Sequence, residues 1–438
     1  MNNRLNTKMI NITNNKSIMK KIMTLAAVAA LVLSACAKIE TEKPVIDEPI
    51  TFGAYSGNAI TKAGTPGEMT TDSLHTPGFG VFAYQTTGDY SSSAKPNFMY
   101  NTRVYGASWT YDIIKYWPNQ VANGDTDGQT DPAQAVQADK VTFFAYAPYV
   151  AHNSASAGTV ADTSYGIIGF TKNDDSGDPK VTYKVSDDLD KQVDLLWGVS
   201  HGETWTNVAG GTNTPTTGFP YYNLQKPAIG TAIKFYFRHA LAQIKLQAVA
   251  AYNQVAPGGT AQDGVKITIK QVELTVPGMT QTAVLNLNNT AANTPKWESE
   301  SGSASLALTV SGSNINSLLL DGGAVAAASQ PTGVTGTAAD VITSGKYYTV
   351  IPTDASTTVT VKITYYVTTD DADLKDGFSR VENVISHDVT FASGFAAGTK
   401  NTILMRLGIS EVKFDAVVED WTVGGTENVD LPVNTAGA

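Results

Sequence analysis

The sequence predicts an all-β protein built from half-buried antiparallel strands, and three observations carry that expectation. Apolar and polar residues alternate at period two in several stretches. These are Ile233, Phe235 and Phe237 in IKFYF; Val265, Ile267 and Ile269 in VKITIKQVELTV; Val359, Val361, Ile363 and Tyr365 in TVTVKITYYV; and Val412, Phe414 and later Val418 in EVKFDAVVEDW. One apolar face at that period is the mark of a half-buried strand. β-Branched and aromatic residues fill these stretches, and Gly, Pro, Asn and Asp punctuate them. No stretch holds a 3.6-residue period for three turns. HALAQIKLQAVAAY comes nearest and stays ambiguous between helix and strand. The architecture these features suit is a β-sandwich.

The bulk composition agrees. A chain of 438 residues is long enough for two or three domains, and 42% apolar residues suffice for their cores. Charged residues make up only 16%, while Thr, Ala, Gly, Ser and Asn abound, a balance that suits an exported β-rich protein. The net charge of −10, with no basic run beyond Lys20-Lys21, argues against a nucleic-acid partner, because phosphate binding needs concentrated Lys and Arg.

Taken in chain order, the first informative element is MKKIMTLAAVAALVLSAC, starting at Met19. Lys20 and Lys21 form a positive head. The apolar run from Ile22 to Leu33 is too short to span a bilayer. Leu33-Ser34-Ala35-Cys36 then resembles a bacterial lipobox. In that motif a peptidase cuts before the cysteine, and the thiol carries a diacylglyceryl group as a thioether. Cys36 is the single cysteine of the chain and sits where the motif requires it. Residues 1–18 are polar and Asn-rich, add nothing to a signal sequence, and leave Met19 as the expected start. The acyl chains supply membrane affinity at about 0.8 kcal/mol per buried CH₂. Later in the chain, 119–139 and 151–179 read as polar surface loops. The Gly-, Thr- and Pro-rich stretch 207–231 separates two strand-rich halves.

Several motifs contain residue types that could carry chemistry. Gly198–Gly202, GVSHG, matches the G-x-S-x-G nucleophile elbow. The elbow needs a helix directly after Ser200 within a parallel framework, and ETWTNVAGGTNTPTTGFP cannot form a long helix. A strand end followed by a turn is expected, and no enzymatic activity. The acidic stretches at Asp125–Asp131 and Asp370–Gly377 fail the calcium-loop spacing of glycine at the sixth position and an acidic ligand at the twelfth, and read as solvated loops, the alternative being adventitious calcium. The five histidines show no zinc spacing. His239, directly after a strand, is expected to be a packed or hydrogen-bonded structural residue. No phosphate or dinucleotide fingerprint is present, and no cofactor is expected. Trp109, Trp117, Trp197, Trp205 and Trp421 lie beside apolar strands and are expected in cores, the alternative being a glycan platform.

Six ordered stretches are similar to the fimbrillin family, the type V pilins of Bacteroidetes. They are ITFGAYSGNAITKAG, FGVFAY, YWPNQ with KVTFFAYAPY, DLLWGVSH, FRHALAQIKLQ and AGTKNTILMRLGISEVKFDAVVEDW. Their order and spacing cover nearly the whole chain after Cys36. The resemblance implies two transthyretin-like antiparallel β-sandwich domains in tandem, exported as a lipoprotein to the outer membrane and assembled into extracellular fimbriae. It also implies a trypsin-like surface protease that removes the first strand, leaving a groove that a strand from another subunit fills.

Such exchange relieves an unpaired edge with a neighbour's extended segment. The removable strand is expected in PITFGAYSGNAIT, with Ile50, Phe52 and Ala54 on one face. Cleavage is expected between Lys62 and Ala63, in a polar loop suited to proteolysis. The donor is expected in the tail TVGGTENVDLPVNTAGA, where Val429, Leu431 and Val433 alternate with Asp430, Pro432 and Asn434, and Gly424-Gly425 forms a hinge. Eight of the 30 Lys and Arg and four of the 40 Asp and Glu lie within residues 1–62, so the mature charge becomes −14.

The expected organisation is a signal peptide at 1–35, a lipidated propeptide with the first strand at 36–62, sandwich domains at 63–228 and 229–421, and a donor tail at 422–438. The expected function is a fimbrial subunit whose partners are other stalk, tip or anchor subunits, contributing to adhesion. The alternative is a non-polymerising surface lipoprotein acting as an adhesin or glycan-binding module.

Overall fold

The computed structural model describes residues 49–56, 71–118, 139–154, 156–207, 210–228, 230–250, 265–299, 305–315, 319–321, 338–343, 346–407 and 412–420. The regular structure among these residues is nearly all β, with one single-turn α-helix at Thr71–Leu74 and two 3-10 turns at Leu189–Lys191 and Gly312–Asn314. Strands are numbered β1 to β23 in chain order.

The first sheet runs β1-β11-β7-β4-β2-β3, with β10 also paired to β4. Its strands are β1 (Phe52–Ser56), β2 (Phe79–Thr86), β3 (Met99–Val104), β4 (Lys140–Ala147), β7 (Leu196–Val199), β10 (Tyr221–Leu224) and β11 (Ile233–His239). The central strand β4, KVTFFAYA, is apolar at nearly every position because both faces are covered. Phe144 and Tyr146 point into one core, and Val141, Phe143, Ala145 and Ala147 into the other. β11 keeps the alternation read from its sequence: Ile233, Phe235 and Phe237 are buried and Lys234 is exposed.

Two further sheets face each other across the C-terminal core. One runs β18-β12-β22-β23, with β19 on β12. It comprises β12 (Ala242–Ala250), β18 (Ala339–Asp340), β19 (Tyr348–Val350), β22 (Thr399–Leu407) and β23 (Val412–Asp420). The other runs β16-β13-β20-β21, with β17 on β13, from β13 (Val265–Val276), β16 (Leu306–Ser311), β17 (Leu319–Asp321), β20 (Thr357–Asp370) and β21 (Phe378–Phe391). The ambiguous HALAQIKLQAVAAY stretch is strand β12. Ala242, Ile244, Leu246 and Ala248 are buried on one face while Lys245 and Gln247 are half-buried, the period of two of a strand, and Gln243 and Val249 on the other face are buried as well.

A fourth sheet, β15-β14-β6-β5, joins the halves. β5 (Gly166–Phe170) and β6 (Lys180–Lys184) come from the N-terminal half, and β14 (Thr282–Ala291) and β15 (Thr294–Ser299) from the C-terminal half. A short hairpin of β8 (Trp205–Thr206) and β9 (Thr212–Asn213) completes the list. Polar contacts reinforce the seam: Asp178 accepts from Tyr90 Oη at 3.1 Å, Asn286 Nδ2 at 3.1 Å and Asn288 Nδ2 at 2.8 Å. The expected boundary at 228/229 falls before β11, yet β11 pairs with β1 and β7. The chain leaves the first sheet only after His239. The aromatic face of IKFYF completes the N-terminal core, which is why the strand stays there.

Candidate functional site

The sequence singled out the stretch containing Ile50, Phe52 and Ala54. The structure places it at one edge of the first sheet, where β1 pairs with β11 in parallel, Phe52 opposite Ile233 and Ala54 opposite Phe235. Ile50 and Phe52 are 1% and 5% exposed, and Ala54 packs on the same core, while Thr51 and Tyr55 face outward. A five-residue strand is short, so side-chain insertion must hold it as much as its ladder does.

That insertion is aromatic. The Phe52 ring lies 5.3 Å from Tyr111, 6.0 Å from Phe143, 6.2 Å from Phe235 and 6.4 Å from Phe79, three of these edge-on and Phe235 stacked. Such pairs add about 0.5–1.5 kcal/mol beyond their area burial. Gly198 stands behind Phe235: a Cβ there would lie 2.9 Å from its ring and 3.0 Å from Ala145 Cβ. The first glycine of GVSHG thus serves close packing.

The second grip on β1 is a strap at 111–117, which the sequence reading did not identify. Its ends are buried by Tyr111 and Trp117. Ile50 N donates to Lys115 O at 2.8 Å, Tyr111 Oη donates to Ile50 O at 2.8 Å, and Lys115 N donates to Tyr111 Oη at 3.1 Å. Pro49 forms an antiparallel bridge with Tyr116. Burial pushes the Tyr111 hydroxyl above its ordinary pKa, so it stays a donor to Ile50 O into more alkaline solution than an exposed tyrosine would. Between its anchors the strap turns Ile113 out at 81% exposure with φ +59°, and exposes Ile114 and Tyr116. A β-branched residue in the left-handed region is strained. The cluster of Tyr111, Tyr116 and Trp117 around Ile113-Ile114 was the available sequence signal.

Ser200, by contrast, is 1% exposed. Its N–H donates to Phe219 O at 2.8 Å, its Oγ accepts from Gly202 N at 2.9 Å, and the chain proceeds through a turn to β8. His201 stacks on Tyr236 at 4.5 Å. His239 Nδ1 lies 2.7 Å from Asp194 Oδ2 at the exit of β11. The loop at Asp370–Gly377 is the turn of the β20–β21 hairpin, closed by Asp371 N to Gly377 O at 2.9 Å. Trp117 and Trp197 are core residues, and Trp109 and Trp205 pack against the core around Phe52. Trp297, which the sequence reading passed over, donates its indole N–H to Ala240 O at 2.9 Å.

Cys36, Lys62, Ala63, Val429, Leu431 and Val433 lie outside the described residues, as do Trp421 and the acidic stretch at Asp125–Asp131. The tail that carries the expected donor follows β23, an end strand of its sheet.

No protein-family model matches the chain. It is similar to fimbrium subunit Fim1C of Phocaeicola vulgatus, at 26% identity over 94% of this chain and 98% of that protein. Its fold is shared by the crystal structure of a fimbrial protein from Bacteroides vulgatus, with a TM-score of 0.55 and 21% identity over 86% of this chain and all of that one. The resemblance to fimbrial subunits drawn from the six ordered stretches is thereby borne out along nearly the whole chain.

Proposed function

We propose that this chain is a structural subunit of cell-surface fimbriae that matures by loss of its first strand and polymerises by accepting the tail of another subunit. The observation that carries the reading is the seat of β1. A short strand at a sheet edge inserts Ile50 and Phe52 into an aromatic pocket, and the loop expected to be cut lies just downstream. The similarity to a fimbrium subunit over nearly full length supports the same role. Export proceeds through the lipobox, with Cys36 lipidated and the precursor held at the outer membrane. A trypsin-like protease cuts between Lys62 and Ala63, and residues 36–62 depart with β1. The two halves, changing over at Ala240, remain as the sandwich body. Val429, Leu431 and Val433 of the tail then replace Ile50, Phe52 and Ala54 in a second copy or in a tip or anchor subunit. The resulting contact is head-to-tail and open, so it grows filaments that carry adhesion at the cell surface.

The test is polymerisation of the purified full chain after protease treatment, read as ladders on unboiled gels and as filaments by electron microscopy. Lys62→Ala should leave the seat occupied, and deletion of residues 426–438 should leave it unfilled. Both should abolish assembly. Filaments formed by the tail-deleted chain would overturn the assignment of the donor.

A further inference from the structure

The geometry of β1 and the sequence of the tail together fix a direction. We infer that the tail of a second copy enters the seat antiparallel to β11, opposite in polarity to the strand it replaces, with Val433 at the Ile50 position, Leu431 at the Phe52 position and Val429 at the Ala54 position. This rests on the donor-strand reading above.

The pairing of the β1 stretch with β11 decides which edge each of its residues faces. Ile233 N donates to Thr51 O at 2.8 Å, and the parallel register puts Phe52 opposite Ile233 and Gly53 opposite Lys234. In such a ladder the outward residues 51, 53 and 55 turn their N–H and C=O toward β11. The inward residue Ile50 turns its own backbone the other way, to Lys115 and Tyr111 on the strap. In an extended chain of L-residues, the side chain's face and the chain direction jointly decide which edge a residue's N–H meets. Reversing the direction while keeping the same residues inward therefore exchanges the two edges.

Pro432 makes that exchange matter. In the tail, Val429, Leu431 and Val433 form the apolar set, so Pro432 faces outward. Inserted parallel to β11, Pro432 would take the position of Gly53 and present no N–H to β11. A sheet carbonyl of the strand would then lose its donor. Inserted antiparallel, Pro432 takes the position of Thr51, and its missing N–H points to the outer edge, where proline is tolerated. A slip by one residue offers no escape, because it would turn Asp430 and Asn434 into the pocket that holds Phe52.

Charge gives an independent reason. In the antiparallel arrangement Asp430 takes the Gly53 position, opposite Lys234, which is exposed. The Lys234 stem already lies over that spot: a Cβ at Gly53 would be 3.2 Å from its Cγ. Opposite charges on directly facing residues of adjacent strands favour pairing. Reversal also replaces a parallel edge pair by an antiparallel one, the slightly stronger ladder per residue. The polarity change thus adds to the driving force for exchange.

The test uses the single native cysteine to advantage, since Cys36 lies upstream of the cut and the matured chain is thiol-free. Asn434→Cys is combined with either Tyr116→Cys or Tyr236→Cys in the full chain, which is then matured by protease, polymerised and oxidised. Pro49 bridges Tyr116 and Tyr55 faces Tyr236, so the two sites mark the two ends of the seat. The expected result is a crosslink between subunits at 434–116 and none at 434–236. The reverse pattern overturns the polarity and leaves the donor-strand reading standing. Polymers that crosslink at neither site overturn both.

Should the cysteine variants fail to fold or assemble, charge exchange supplies the second measurement. Asp430→Lys should weaken uptake of a tail peptide by the matured, tail-deleted chain about threefold, and Lys234→Glu should restore it. Absence of restoration, with the single changes each weakening uptake, overturns the antiparallel arrangement.

Discussion

The first sheet is covered on both faces, and the two cores it separates are closed by different means. On one face Phe144, Tyr146, Trp197 and Val199 enter a core that continues through the shared sheet into Leu246, Leu285, Val361 and Met405. Strands from both halves interleave there, so opening it means unfolding much of the chain. On the other face Phe79, Phe143, Tyr111 and Phe235 form a smaller, more aromatic core whose edge is closed by five-residue β1. A core closed by one short edge strand can lose and regain that strand without disturbing the rest. On the proposed function, the distinction separates a permanent body from an exchangeable seat within one sheet.

The largest expected effect breaks the body. Trp197, 1% exposed and in contact with the large core, has no small replacement that fills its space. Trp197→Ala should cost about 3–5 kcal/mol, the usual range for a buried large aromatic residue. Urea unfolding should show it equally in the precursor and in the matured chain. A loss confined to the precursor would mean that this core depends on β1, and the comparison would fail.

The next effect is conditional on maturation. Phe52→Ala removes the side chain that fills the pocket among Phe79, Tyr111, Phe143 and Phe235. The cost in the precursor should be about 3 kcal/mol, toward the low end for phenylalanine because an edge strand relaxes more readily than a central one. After cleavage the residue is gone, so the matured variant should match the matured wild type in urea. The uncleaved variant should also take up a tail peptide far more readily than the uncleaved wild type does. Equal uptake by both would show that Phe52 is not what blocks the seat.

Individual strands show how far the sequence could be read. β20 keeps its inward phase as far as Tyr365, so Val359, Val361, Ile363 and Tyr365 are buried as their alternation implied. β13 starts in the phase of Ile269, but a bulge between Ile269 and Gln271 moves burial to Val272, Leu274 and Val276. Nothing local announces a bulge, because it responds to the partner strand. β12 keeps a period of two in its middle, where Ile244, Leu246 and Ala248 are buried and Lys245 and Gln247 half-buried, but burial of Gln243 and Val249 on the other face blurs that period at its ends. At the site, the inward face of β1 was legible as alternation. The strap was not, because Tyr111 meets Ile50 across 61 positions of sequence and its contacts run through backbone atoms. The boundary missed β11 for a related reason: a change in loop composition marks where a chain bends, not which sheet the next strand joins.

The smallest expected effect tests the strap alone. Tyr111→Phe keeps the ring beside Phe52 and removes the hydroxyl that donates to Ile50 O at 2.8 Å and accepts from Lys115 N at 3.1 Å. The net cost of such a bond is about 1 kcal/mol, or about fivefold in an equilibrium. It should appear as faster exchange of β1 for a tail peptide in the precursor, with the large core unaffected. The same hydroxyl gives the effect a pH signature. Burial raises the folded pKa of Tyr111 above its unfolded value of 10.0. A group raised in this way contributes stability that is fully present below the unfolded pKa and is lost as pH rises through the folded one. Wild type should therefore hold its advantage over Tyr111→Phe up to about pH 10 and lose it progressively above. Other buried tyrosines titrate in both proteins and cancel in the difference. A constant gap between the two proteins across that window would assign the loss to packing and remove the hydroxyl from the account of how β1 is held.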